Sequence, residues 1–138
     1  MQYQTAEQAQ QEIINEFNFF PDWLERYQYI IELGKKLPQF PLDKKIEKYK
    51  VQGCQSQVWL YKESDNGKLL FYATSDAVIV CGLLAIILRI YNNRTKEEIL
   101  LTPPRFIREL GLDKHLSMNR TNGLYAVLKQ IEDYAANE

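Results

Sequence analysis

At 138 residues and 46% apolar composition, the chain is sized for one domain spanning residues 1–138, with material for one packed core. Its 17 basic and 18 acidic side chains nearly cancel, and no basic stripe interleaved with aromatics is visible, which argues against a nucleic-acid partner and leaves proteins or small molecules. No positively charged start followed by an apolar run opens the chain, so the cytoplasm is the expected compartment, where the two cysteines, Cys54 and Cys81, stay thiols.

Residues 5–17 read as a short amphipathic helix, with Ala6, Ala9, Ile13, Ile14 and Phe17 near helical spacing. A second helix is capped by Asp22 with Glu25 three residues on, carries Trp23, Tyr27, Ile30 and Ile31 as its stripe, and is expected to end at Gly34. Pro38 and Pro41 then prevent regular helix, and lysines 44, 45, 48 and 50 read as a solvated linker.

Three strands are expected at 46–51, 57–63 and 68–74, the last two joined through Ser64-Asp65-Asn66-Gly67, a strong hairpin signal. A long helix follows from Ser75 or Asp76 to about Tyr91. Its apolar run at 77–88 is interrupted by Gly82, ends near Arg89, and falls short of the roughly 20 residues a membrane span needs. It is therefore a core helix, with no membrane partner expected. Thr95 with Glu98 forms a capping box for a short helix, Thr102-Pro103 opens another that stops at Gly111, and Ser117 caps the last, whose stripe is Leu124, Val127, Leu128, Ile131 and Tyr134. The fold class is α+β, a small antiparallel sheet of about three strands with helices around it.

The stretch with most chemical promise is Val51-Gln52-Gly53-Cys54-Gln55-Ser56-Gln57-Val58. A thiol among small polar side chains on a loop between strands is presented rather than packed, and Gly53 before it admits backbone angles that a side chain forbids. Gln55 and Ser56 supply hydrogen bonds without charge, so no base adjoins the thiol in sequence. A cysteine hydrolase would need His115, the single histidine, which sits beside apolar Leu112 and Leu116 as structural histidines do. A metal or iron-sulfur site would need Cys54, Asp76, Cys81 and His115 together. On a helix Cys81 lies roughly 140° around from Asp76, which weakens that set. Asp76 also suits a helix N-cap. Arg120, a cation in the first turn of the last helix, costs a few tenths of a kcal/mol to ~1 and so suggests a partner carboxylate, with Asp76 a candidate. A pure protein-binding module is a third class, and it leaves the Gly53-Cys54 pair unexplained.

Gly53-Cys54-Gln55-Ser56-Gln57-Val58-Trp59, Ser75-Asp76-Ala77, and His115-Leu116 leading to Arg120, Asn122, Gly123 and Leu124 together resemble the SufE family of sulfur acceptor proteins, from the Trp23 helix to the last one. The resemblance implies a fold like that of the scaffold protein IscU. It also implies a partnership with a pyridoxal-phosphate cysteine desulfurase of SufS type, which the carrier stimulates. Cys54 takes persulfide sulfur from that enzyme and passes it to a SufB-SufC-SufD-type scaffold for iron-sulfur cluster assembly. The protein would then be a carrier and desulfurase activator, not an enzyme, without a cofactor or metal of its own, as monomer or homodimer. Gly53, Gln55, Ser56, Asp76, His115 and Arg120 would support the loop or its docking. A metal-binding scaffold of IscU type is the alternative. Two positions depart from the family pattern: Cys81 stands where Lys or Arg is usual, and Met118 where Pro often follows the capping Ser117. A carried persulfide also needs shelter, expected from Val58, Trp59 and the long helix.

Overall fold

In the computed structural model, which describes residues 4–138, the elements run α1 (Ala6–Phe17), α2 (Trp23–Gly34), β1 (Val58–Asp65), β2 (Lys68–Ser75), α3 (Val78–Tyr91), β3 (Arg94–Thr95), α4 (Lys96–Leu100), α5 (Phe106–Glu109), α6 (Leu112–His115) and α7 (Met118–Ala136). The sheet is antiparallel in the order β1-β2-β3. Asn66 (φ 52°) and Gly67 (φ 79°) form the two-residue turn between β1 and β2, the left-handed pair that matches the twist of a tight hairpin.

One face of this hairpin is the floor of the core. Val58, Leu60, Leu69, Phe71 and Ala73 are buried because strand side chains alternate and these residues share one side. Against them lies α3, apolar on most faces, which also touches α1, α2 and α7. Leu84, Ile86, Ile87 and Ile90 are almost wholly buried, each such side chain stabilising the fold by about 1.5–3 kcal/mol. The crossing of α2 and α3 is close. A Cβ on Gly82 would stand 2.1 Å from the Ile30 carbonyl oxygen, and one on Gly34 would stand 2.7 Å from the Gly82 nitrogen. Gly34 is thus the last residue of α2, with Lys35 as its right-handed C-cap, and serves packing rather than a left-handed stop.

Several sequence expectations are corrected. Residues 46–51 are not a strand: Glu47–Tyr49 is a single 3₁₀ turn, and only Lys50 bridges Trp59. Charged Glu47, Lys48 and Lys50 fall on both faces of such a strand, so neither face is wholly apolar, and local bonds such as Tyr49 N–H to the Ile46 carbonyl (3.1 Å) win. The third strand is instead Arg94–Thr95, paired with Lys68 and Leu69, and two residues are too few to show alternation. The helix expected from Thr102 is shorter, α5, because Pro103 and Pro104 hold the chain out of helix until Arg105. The long helix starts at Val78, since β2 continues through Ser75. The lysine linker also folds back: Lys45 and Lys50 lie over the Trp59 ring (4.9 and 5.8 Å), and Lys44 over Tyr61 (5.0 Å). Basic and aromatic groups distant in sequence therefore interleave on the outer face of the sheet. Among the described residues, no helix is long and apolar enough to cross a membrane.

Candidate functional site

The loop carrying Cys54 leaves from and returns to one end of the sheet. Its base is closed by Val51 N–H donating to the Val58 carbonyl (2.8 Å). On the return side, Gln57 N–H donates to Asp76 Oδ1 (3.1 Å), and the Gln57 carbonyl accepts from Ser75 Oγ (2.7 Å) and from Asp76 N–H (3.3 Å). Asp76 therefore fixes the loop instead of capping α3, whose N-cap is Ala77 with no side-chain bond. Between these ties, Gly53 adopts φ +90°, a backbone state costly for other residues.

Cys54 is half-buried and turned inward. Its Sγ donates to the Gly123 carbonyl at 3.7 Å, a residue 69 positions away on α7. The approach does not depend on the missing side chain of Gly123, since a Cβ there would stand 3.5 Å from Sγ, an ordinary contact. Burial pushes the Cys54 thiol pKa up, because a thiolate loses hydration there.

The thiol forms part of the wall of a pocket of about 250 Å³ between β1, α3 and α7. On α3 it is walled by Val80, Leu83, Leu84 and Ile87, and on α7 by Arg120, Gly123, Leu124 and Val127. Both sets have the spacing i, i+3, i+4, i+7, one face of a helix. Val58 adds to the apolar wall, while Gln55, Ser56, Ser117 and Asn119 contribute polar groups. The α7 start is held by Ser117 Oγ, which accepts from the Arg120 N–H (3.3 Å).

The expected site residues do not all meet. Cys54, Gln55, Ser56 and Arg120 line the pocket, Gly53 adjoins it, and Asp76 lies at the loop base. Arg120 is exposed and, among the described residues, makes no ion pair with Asp76. His115 is elsewhere: its ring stacks on Trp23 with centroids 4.2 Å apart, and its carbonyl accepts from Tyr27 Oη (2.7 Å). Cys81 faces another cleft, with Gly34, Phe40 and Lys45, and donates to the Ser75 carbonyl (3.4 Å). Among the described residues, no three of His, Cys, Asp and Glu come together in a way that could hold a metal ion, so the set Cys54, Asp76, Cys81 and His115 is not assembled. Trp59 is on the other face of β1 and does not line the pocket. The wall expected from Trp59 is supplied by α7, of whose lining residues only Leu124 and Val127 belong to the stripe expected from the sequence.

The family described as "SufE: Fe-S metabolism associated domain" matches residues 11–135. An uncharacterized SufE-like protein of Rhizobium meliloti (strain 1021) is 40% identical over 129 residues, covering 90% of this chain and 92% of the relative. Another from Rhizobium etli is 41% identical over 129 residues, covering 90% of this chain and 87% of its own. In fold, the chain is similar to the solution structure of a hypothetical protein from Thermus thermophilus, with a TM-score of 0.78, 23% identity and 94% of each chain covered.

Proposed function

We propose that this chain, which belongs to the SufE family of Fe-S metabolism proteins, accepts persulfide sulfur on Cys54 from a pyridoxal-phosphate cysteine desulfurase and hands it to an iron-sulfur cluster scaffold of SufB-SufC-SufD type. The observation that carries this reading is the inward-turned Cys54 at the wall of a pocket that has space beyond its sulfur. In the transfer step, the Cys54 thiolate attacks the outer sulfur of the desulfurase persulfide. A new S–S bond forms at Cys54 Sγ, the old one breaks, and the desulfurase leaves as thiolate with the bonding pair. Nothing is oxidised overall, so no redox cofactor is required of this chain; the Cys54 proton is lost to solvent as docking brings the thiol out of its buried setting, which needs no base of high strength.

The geometry suits a carrier that hides its cargo. While the protein is free, the thiol is shielded and largely protonated, which limits reaction with stray electrophiles. Docking would turn the segment 52–56 outward about Gly53, with the Gln57 and Asp76 bonds keeping the loop base in place. Val78 and Met118, 64% and 78% exposed, lie in the first turns of the helices that wall the pocket and offer apolar surface for a partner to bury. Arg120 would meet the partner or the persulfide anion at the pocket rim through a charge-assisted hydrogen bond.

The test is intact mass and peptide mapping after incubation with a cysteine desulfurase and free cysteine. One added sulfur on Cys54, absent in Cys54→Ser, is the expected result. Sulfur mapped to Cys81, or desulfurase stimulation by the serine variant equal to wild type, overturns the reading.

A further inference from the structure

Resting on the reading of Cys54 as a persulfide carrier, we propose that the pocket beside Cys54 holds a chain of two or more sulfane sulfur atoms on that thiol, so that the substrate class of the site extends from a single persulfide to hydropolysulfides. Size is the first argument. The pocket measures about 250 Å³, whereas a cavity needs only about 10–15 Å³ by the same kind of measure to hold one water molecule. A divalent sulfur is little larger than water, so the pocket has room for several sulfane sulfurs, each gaining dispersion contacts where it lies against the aliphatic walls.

The distribution of lining groups is the second argument. Leu83, Leu84, Ile87 and Val127 are apolar walls, while Ser117 and Arg120 belong to the start of α7. The inner atoms of a polysulfide are uncharged, polarizable and weak acceptors, suited to aliphatic walls. Its charge sits on the last sulfur. In a one-sulfur persulfide that atom is bonded directly to Cys54 Sγ, in the same surroundings whose burial disfavours the thiolate. Each further sulfur carries the charge outward by one S–S bond, about 2.05 Å. A longer chain thus sets neutral sulfurs against aliphatic groups and brings the anion toward hydroxyl, amide and guanidinium donors. Positive charge at the N-terminus of α7, a helix of 19 residues, acts in the same sense.

Chain growth needs no added oxidant. The Cys54 persulfide anion attacks the outer sulfur of a second persulfide donor. One S–S bond forms at the end of the chain, the donor's S–S bond breaks, and the donor departs as thiolate with the electron pair. The sulfur transferred has the same oxidation level before and after the step.

The experiment is an anaerobic titration of the full chain with inorganic hydrodisulfide, followed by alkylation, intact mass and peptide mapping. Wild type, Leu84→Phe and Val127→Phe are compared as folded proteins, with wild type in urea as the unfolded reference. The readout is the number of sulfurs per modified Cys54, which does not depend on how fast the first arrives. Folded wild type is expected to carry species with two and three added sulfurs that the filled variants and the unfolded chain lose. If a phenylalanine variant fails to melt cooperatively, the other decides. Gly123→Ala is the third variant, placing its methyl group 3.5 Å from Sγ at an ordinary contact distance. A single added sulfur at every donor excess overturns the inference, as do equal chain lengths in the folded, filled and unfolded proteins. Failure of Cys54 to accept even one sulfur from a desulfurase is a different result, and it removes the carrier reading itself.

Discussion

Each of the two thiols has a glycine beside it, and the two pairs are built for opposite ends. In Gly53-Cys54 the glycine has φ +90°, and the nearest atom to an added Cβ is the Ala126 Cβ at 3.5 Å: space is available, but the backbone conformation is not one other residues favour. In Cys81-Gly82 the glycine is helical, and an added Cβ would meet the Ile30 carbonyl at 2.1 Å: the conformation is ordinary, but the space is missing. Both sulfurs donate to a carbonyl, yet Cys54 reaches across 69 positions to Gly123 while Cys81 reaches back six to Ser75. The first arrangement can be undone by turning a loop. The second lies within a short stretch joining the end of β2 to the first turns of α3, where the next residue, Gly82, packs directly on Ile30 of α2. Which atom restricts a glycine thus tells whether its neighbour is positioned to move or to stay.

The largest separation of the two pairs is expected in function. Cys54→Ser should reduce sulfur acceptance to background while leaving the melting transition cooperative, whereas Cys81→Ser should retain acceptance, measured by intact mass with a desulfurase and cysteine. Equal losses in the two variants would erase the distinction.

Stability should separate them in the reverse direction. Gly82→Ala forces α2 and α3 apart and is expected to cost about 1–3 kcal/mol or more in urea unfolding, in line with overpacking. Gly53→Ala meets only the backbone penalty, about 1–2 kcal/mol, and its main effect should be slower sulfur transfer through a loop less able to turn. A Gly82→Ala variant as stable as wild type would mean the helices have slack at their crossing.

Legibility in the sequence followed the length scale of each signal. The hairpin, the Asp22 and Ser117 caps and the stripe of α7 rest on contacts between residues near in sequence, and the structure has them. Gly34 was legible as a helix stop and Gly82 as an interruption, because both are breakers locally; their packing role exists only once α2 lies on α3. The pocket was missed for the same reason. The long helix reads as apolar on most faces and the last as a core stripe of Leu124, Val127, Leu128, Ile131 and Tyr134, and nothing in either run says that 80, 83, 84, 87 and 120, 123, 124, 127 stand apart beside a thiol. Asp76 reads as a cap only where β2 ends at Thr74, and the strand runs one residue further, through Ser75. That residue of strand leaves Asp76 beside Gln57 and not at the first turn of α3.

The smallest expected difference concerns protonation. Burial raises the Cys54 pKa in the folded chain, whereas the unfolded chain presents an ordinary thiol with a pKa of about 8.5. A group whose folded pKa is raised stabilises the fold fully below its unfolded pKa and loses that contribution as pH rises toward and through the folded value. Wild type should therefore lose slightly more stability than Cys54→Ser on going from pH 7 to above about 8.5, as measured by urea unfolding. The same burial should slow alkylation of Cys54 at neutral pH relative to a small thiol and shift the rate profile toward higher pH. Denaturation in urea should abolish both effects, since each depends on the pocket rather than on neighbouring residues in the chain. A Cys54 that alkylates in the folded protein at the rate of a free thiol, with an unshifted profile, would show the loop already turned outward before any partner docks. The contrast between a movable and a fixed thiol would then persist, but the shielding of the movable one would not.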